Sequence, residues 1–446
     1  MVATLRAPID VQIEITQSCN QKCRHCYNFW RSNGKVIKKG QHFSRSSLQQ
    51  IINELVLNQV ISITITGGEP FIRKDDTFAL LSMAKKSGLL ASINSNFSLV
   101  DDYDIARLAN EYDVPILVSL LSSDPDKHAL LSGTSKCEYT RVIKSIERAV
   151  HYGLPVSINM VLMKENFSDV NDLARLAKEL GVKTFCVTKA LPNPRNTEND
   201  FLLTSKEVLR SLQDLISIEK SLQLPVDVLG CYPKCLLVGS DAYQRFFHRV
   251  CVAGKTTITI GSSGEVRPCS HITRSYGNVI EESLEDIWLR MDDWRKDYFL
   301  PTLCSNCPIS SWCTGGCRVN TLETGFGNMD MHADPEILTG ILIDQLNPER
   351  FKTKLNDLSG YLVFLHPKVK FREEEFGALV YRSDQWSMIF VNNQASDFLK
   401  NLRHGEIFSS DEFLKKSDAT CEEEKQTVLN LFNRLISKKI LVTSKN

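Results

Sequence analysis

Three cysteines, Cys19, Cys23 and Cys26, fall within eight positions of "CNQKCRHCYN", directly after a short apolar run. A closed structural zinc site takes four nitrogen or sulfur ligands, and a disulfide takes two. Three thiolates suit a metal centre that keeps one position open. Zinc held by the three thiols and His25 is the competing chemistry for the same side chains. Two more cysteine runs are ordered: Cys251 to Cys269 reads Cys-x12-Gly-x4-Cys, and Cys304 to Cys317 reads Cys-x2-Cys-x5-Cys-x3-Cys. The second run alone would also fit a zinc knuckle. "CYPKC" (231–235) stands apart, and Cys137, Cys186 and Cys421 read as packing cysteines, a common role for a free thiol.

The elements around the first cluster alternate. "VQIEIT", "ISITIT", "LLASIN", "PILVSL", "PVSINMV" and "KTFCVT" are short runs rich in Val, Ile and Thr, closed by Gly, Asn or Pro. Between them "SRSSLQQIINELVLNQ", "DIARLANEY", "EYTRVIKSIERAVHYG", "VNDLARLAKELG" and "SKEVLRSLQDLISI" carry apolar residues at helical spacing. Six strand–helix units predict an α/β fold, a parallel sheet curled into a partial (β/α)6 TIM-like barrel. Chemistry in such barrels sits at the C-terminal ends of the strands, and the three cysteines follow the first strand. Periodicity fades over 225–335 while Cys, Gly and Pro rise, the pattern of a region that depends on metal for its fold. The expected organisation is a barrel at 1–224, a cysteine-rich region at 225–340, a connector at 341–360 and a small winged-helix-like α+β domain at 361–446.

Bulk properties narrow the class. Fifty-three basic residues balance 53 acidic ones, which argues against nucleic acid as a partner. No apolar stretch is long enough to span a membrane, and "MVATLRAPID" lacks the apolar core of a signal peptide. A cytoplasmic protein is expected, and clustered cysteines in a reducing compartment point to metal rather than disulfides.

The Cys-x3-Cys-x2-Cys spacing after a first barrel strand resembles the radical S-adenosylmethionine (SAM) superfamily. The resemblance implies that Cys19, Cys23 and Cys26 hold a catalytic 4Fe–4S cluster whose fourth iron is chelated by the amino and carboxylate groups of SAM. Incomplete thiolate ligation leaves that iron open. His25 stands where the family usually has an aromatic and is expected beside the adenine. "GGEP" (Gly67, Gly68, Glu69, Pro70) follows the second strand and resembles the motif that receives the methionine ammonium. Ser95, Ser119 and Asn159 match further SAM contacts, or satisfy backbone groups at strand ends. Two positions depart from the pattern: Leu121 replaces an acidic residue, and Ser132 replaces an arginine able to hold the SAM carboxylate. In this family the cofactors generate a 5′-deoxyadenosyl radical that abstracts hydrogen from an unactivated carbon.

The later cysteine runs together resemble the SPASM extension of radical SAM peptide modifiers, which carries two auxiliary iron–sulfur clusters. The resemblance implies Cys251, Cys269 and Cys317 on the first and Cys304, Cys307 and Cys313 on the second, each set one ligand short. Asp334, with His332 and Glu336 as alternatives, is expected to complete the second. Cys235 or Cys231 is expected to complete the first, unless that iron is open. "FREEEFGALVYRSDQWSMIFVNNQASDFLKNL" resembles the PqqD-like recognition element, which binds a leader peptide as an added strand; a generic winged helix is the alternative, and Glu373–Glu375 reads as a solvated charge run. The whole implies a maturase of a ribosomally made precursor peptide, forming a carbon–carbon or thioether crosslink and fed electrons by a flavodoxin- or ferredoxin-type reductant. A sulfatase-maturase-like side-chain oxidase and a tetrapyrrole-modifying enzyme are the alternative functions.

Overall fold

The structure is a computed structural model that describes residues 4–28, 30, 41–192, 199–238, 241–295, 300–305, 307, 309–322, 329–334, 362–402, 405–417 and 419–443. The whole of the expected connector, 341–360, and Glu336 therefore lie outside the described residues. The chain forms two compact units, one of Ala7–Ser87 with Ala91–Leu346, the other of Asn347–Asn446 with Met1–Arg6 and Gly88–Leu90.

The larger unit is built on β1 (Asp10–Glu14), α1 (Arg45–Leu57), β2 (Ser62–Thr66), α2 (Lys74–Lys86), β3 (Leu90–Ser95), α3 (Asp102–Arg107), β4 (Ile116–Ser119), α4 (Pro125–Ser132), α5 (Lys136–His151), β5 (Val156–Leu162), α6 (Val170–Glu179), β6 (Thr184–Lys189) and α7 (Ser205–Leu222). The six expected strands are all present. Helix α2 was not anticipated. It packs Phe78, Leu80, Leu81 and Ala84 inward, but its start is masked by the GGEP turn. The sheet also runs further than periodicity indicated. β7 (Val226–Leu229) adds parallel to β6, and past α8 (Lys234–Leu237), β8 (Thr257–Ile260) adds parallel to β1, with β9 (Val266–Arg267) antiparallel beside it. Position 224 is thus not the end of the sheet. "VDVL" and "TITI" are too short to stand out from the Cys- and Gly-rich sequence around them. The region continues through α9 (Leu284–Arg290), α10 (Asp292–Arg295), α11 (Ser310–Cys313) and α12 (Arg318–Leu322).

Helix α4 matters most for the site. Asp124 caps its N-terminus, Pro125 occupies the first turn, and Gly133 closes it at φ +63°. The carbonyls of Ser132 and Leu131 accept from the amides of Lys22 (2.9 Å) and Arg24 (3.1 Å), so the first cysteine loop rests on this helix end. Gly133 permits the approach: a Cβ there would lie 2.7 Å from Lys22 Cβ. Buried His128 accepts from the Leu121 amide through Nδ1 (3.3 Å), and burial lowers its pKa to about 4. The unfolded chain takes up that proton more readily than the folded one. Stability is therefore full above the ordinary histidine range and is lost as pH falls from about 6.5 toward 4, by up to about 3 kcal/mol. Glu69, held up near 7 by burial, works in the opposite direction between its ordinary range and pH 7. The expected result is a less steep loss of thermal stability below pH 6 in His128→Gln than in the parent. An identical slope would remove His128 from the acid response.

The second unit holds β10 (Val363–Leu365), β11 (Val369–Glu374), β12 (Gly377–Arg382), β13 (Met388–Asn392), α13 (Asn393–Asn401), α14 (Ser410–Lys416), α15 (Glu422–Ser437) and β14 (Leu441–Thr443). β11, β12 and β13 form an antiparallel sheet in that order, and β10 pairs with β14. Val380, Val391, Leu399, Phe413, Phe432 and Leu435 share its core, with Val428, Leu431 and Ile436 packed against them. The acidic run is not wholly solvated. Glu374 is buried and accepts from buried Arg372 at 2.7 Å and from the Arg6 amide at 2.8 Å. Strand alternation turns every second residue inward, and Arg372 offsets the cost of burying a carboxylate there.

Candidate active site

A cavity of about 170 Å³ opens at the C-terminal ends of β1 to β5, lined by Cys19, Cys23, His25, Cys26, Gly67, Gly68, Glu69, Ser95, Ser119 and Asn159 among others. Ten of the eleven residues singled out for the core cluster and SAM thus meet in one place. Pro70 is the exception. It is buried and starts a single helical turn, its carbonyl accepting from Thr77 Oγ1 (2.9 Å). It shapes the GGEP turn without facing the cavity.

The two motifs are locked to each other by backbone. Gly68 N–H donates to Thr16 O (2.7 Å), Glu69 N–H to Ser18 O (2.8 Å) and Asn28 Nδ2 to Gly67 O (3.0 Å). Glu69 is fully buried. Its carboxylate accepts from Phe71 N (3.0 Å), Ser95 Oγ (2.8 Å) and Asn96 N (2.8 Å). Those donors favour the ionised form, yet burial outweighs them and raises the pKa to about 7. Ser95 Oγ also accepts from Phe97 N (2.8 Å), so its hydroxyl already ties the β3 loop to the GGEP turn. Asn159 accepts from Thr188 Oγ1 (2.8 Å). Leu121 and Ser132 are buried away from the cavity lining, with Ser132 Oγ donating to His128 O (2.6 Å). The cavity has further polar lining from Gln21, Asn94 and Asn96.

Several residues at the site were missed. Tyr27 lines the cavity and stacks on His271 with ring centroids 4.2 Å apart, joining the first cysteine loop to the loop after Cys269. Buried Glu14, the last residue of β1, pairs with buried Arg267, which also donates to the carbonyls of Ser270 (2.9 Å) and Ile272 (3.2 Å). Burial pushes the Glu14 carboxyl up, and Arg267 pulls it back. Lys189, ending β6, sits 3.6 Å from Asp330, both buried, and Asp330 accepts from Cys317 N (2.7 Å) and His332 N (2.9 Å). A charged residue inside a run such as "VQIEIT" or "KTFCVTK" was the available signal, since an interior charge needs a partner.

None of the fourteen cysteines is joined in a disulfide. Cys251 and Cys317 share a buried cluster, with Cys231 and Cys269 packed against it. The buried Cys231 and Cys251 thiols interact through a side-chain hydrogen bond. A separate cavity of about 10 Å³ is lined by Cys235, Cys304, Cys307 and Cys313. Cys235 therefore lies with the second set rather than the first. Asp334 is exposed and approaches that set through its backbone, its N–H donating to Cys235 Sγ (3.3 Å). His332 is buried, and desolvation lowers its pKa to about 3. Of the packing cysteines only Cys186 is buried; Cys137 and Cys421 are exposed.

Among the described residues, no three His, Cys, Asp or Glu side chains converge closely enough to share one metal ion. A four-iron cube takes each thiolate at a separate corner and spreads its ligands wider than a single ion does. Three thiols around an open, polar-lined cavity fit that larger group, with a corner left for a further ligand.

Residues 13–177 match the family model described as the Radical SAM superfamily, and residues 251–308 match that of an iron-sulfur cluster-binding domain, SPASM. The chain carries a radical SAM domain and a SPASM domain. Together they imply iron–sulfur clusters and SAM binding. Among its relatives is the antilisterial bacteriocin subtilosin biosynthesis protein AlbA of Bacillus subtilis, 26% identical over 71% of this chain and 68% of that one. Mycofactocin maturase MftC of Mycolicibacterium smegmatis is 26% identical over 78% and 88%. An AdoMet-dependent heme synthase of Methanosarcina barkeri is 23% identical over 71% and 93%. In fold, the chain is similar to Streptococcus suis SuiB solved with its precursor peptide SuiA: TM-score 0.60, 21% identity, 71% of this chain and 73% of that one. Among the described residues no helix is long and apolar enough to cross a membrane.

Proposed function

We propose that this protein is a maturase of a ribosomally made precursor peptide, using SAM-derived radical chemistry to form an oxidative crosslink. The observation that carries the proposal is the single cavity in which Cys19, Cys23 and Cys26 face Gly67, Gly68 and Glu69. When bound, the cofactors supply reductive SAM cleavage and a hydrogen-abstracting radical. The chain's own part is positional. The three thiols would hold the cluster, and the GGEP backbone would receive the methionine amino group. Glu69, already bonded to the β3 loop, fixes that backbone rather than swinging freely.

The small C-terminal unit supports peptide over small-molecule substrate. β13 is an edge of the three-stranded sheet. A groove of about 440 Å³ beside it is lined by Asn392, Phe398, Val428 and Leu431. An extended leader added to β13 would gain main-chain hydrogen bonds and place alternate side chains in that groove. The heme synthase relative keeps a tetrapyrrole-modifying reading in view, and the two separate by product. Anaerobic incubation with dithionite, SAM and a short peptide encoded beside the protein's own reading frame is expected to release 5′-deoxyadenosine and lower the peptide mass by two hydrogens. Unchanged mass with deuterium uptake from heavy water would replace crosslinking by epimerisation. No deoxyadenosine at all would sink the reading.

A further inference from the structure

The five residues from Cys231 to Cys235 stand outside both ordered cysteine runs and outside the matched SPASM residues. Their two thiols nevertheless go to two different places. After β7 ends at Leu229, Cys231 packs against the buried cluster of Cys251 and Cys317, with Cys269 beside it. Its thiol is hydrogen-bonded to Cys251. Buried Tyr232 and Pro233 then carry the chain into α8. There Cys235 lines the small cavity with Cys304, Cys307 and Cys313. The Lys234 N–H donates to Cys313 Sγ at 3.2 Å, and the Asp334 N–H donates to Cys235 Sγ at 3.3 Å. Amide donors aimed at sulfur stabilise thiolates and tune iron–sulfur ligation.

We propose that this segment divides its thiols between two auxiliary iron–sulfur sites. Cys231 completes a four-cysteine set with Cys251, Cys269 and Cys317. Cys235 completes another with Cys304, Cys307 and Cys313, taking the place of a downstream ligand. Two consequences follow from chain chemistry alone. Each set has four thiolates, so neither cluster keeps a vacant iron for a substrate atom. The four-residue separation also tethers the two sites, since an extended chain of that length spans at most about 14 Å. The inference rests on the SPASM region holding clusters, not on the identity of the peptide substrate.

The test uses the full chain, reconstituted anaerobically with iron and sulfide, in two backgrounds. Cys304→Ala, Cys307→Ala, Cys313→Ala leaves the first auxiliary set; Cys251→Ala, Cys269→Ala, Cys317→Ala leaves the second. Each background should hold about eight irons, four at the core and four at the remaining set. In the first background, Cys231→Ala should lose iron or convert the cluster to a three-iron form visible by electron paramagnetic resonance, while Cys235→Ala changes nothing. In the second background the effects should exchange. Effects on the opposite set, or on neither, overturn the assignment. Should an alanine variant fail to fold by circular dichroism, the serine variant, which offers an oxygen ligand, must shift the resonance of the same cluster; an unshifted signal counts against it. A parent chain holding only about four irons would instead refute the auxiliary-cluster reading itself, which separates the two failures.

Discussion

Replacing Gly68 with alanine is expected to cut 5′-deoxyadenosine release about a hundredfold, the scale on which an ångström of misplacement acts at a reacting centre. A Cβ at Gly68 would sit 2.1 Å from Ser18 O, 2.6 Å from Ser18 C and 2.8 Å from Gln17 O. All three atoms are backbone, so no rotamer change relieves the overlap. Either the GGEP turn or the first cysteine loop must move, and the bonds Gly68 N–Thr16 O and Glu69 N–Ser18 O must stretch or break. Both sides of the clash carry site residues. Cys19 follows Ser18 directly, and Glu69 follows Gly68. The auxiliary sets draw on other loops, so their iron content should stay at the parent level. Gly68→Ser should be no better, because the obstacle is the Cβ itself. Full deoxyadenosine release from Gly68→Ala at parental iron content would show that the contact between the two loops does not position the site.

The barrel rim was legible because its requirements are local. Cys19, Cys23 and Cys26 identify themselves by type and spacing, and "GGEP" by needing two glycines where two loops touch. β-branched runs with glycine or proline stops located six strands to within a residue or two. What escaped notice depends on contacts between distant segments. Arg267 and Glu14 are 253 positions apart and Lys189 and Asp330 are 141 apart, so a charge in a strand run signals the need for a partner but nothing local names which one. The fourth member of each auxiliary set was hard to read for a related reason. Spacing ties together cysteines on one loop, but Cys235 reaches Cys304 and Cys313 from another segment. Asp334 was expected from the position of the family's downstream ligand, whereas the Cys235 thiol, from before both auxiliary runs, lines the cavity of Cys304, Cys307 and Cys313. Ser132 shows the converse. Read as a missing SAM contact, it turns out to serve the helix that seats the cysteine loop, through its carbonyl and its bond to His128.

A Phe390→Glu substitution is expected to raise the KM for a leader-bearing peptide at least about tenfold, equivalent to about 1.4 kcal/mol of binding, and to leave SAM cleavage without peptide unchanged. Along β13, Ile389 and Val391 turn inward while Phe390 is 43% exposed, with its ring 6.0 Å from Phe376. Alternation puts Phe390 on the face away from Ile389 and Val391, whose core side carries Phe398, Val428 and Leu431. A strand added there would set one row of side chains toward Phe398, Val428 and Leu431 and the other toward the exposed aromatic pair. Because Phe390 faces solvent, its replacement leaves the core of Val380, Phe413 and Phe432 intact, and folding should survive. The added carboxylate removes an apolar surface and places a charge beside the incoming backbone. Leader recognition acts on capture rather than chemistry, so the effect should fall on KM, with kcat at saturating peptide near the parent value. A leaderless core peptide provides the control, since parent and variant should handle it equally poorly. Deleting residues 362–446 should bring the leader-bearing peptide down to that same level. If either change left modification of the leader-bearing peptide at full efficiency, the β13 edge would have no part in recognising it.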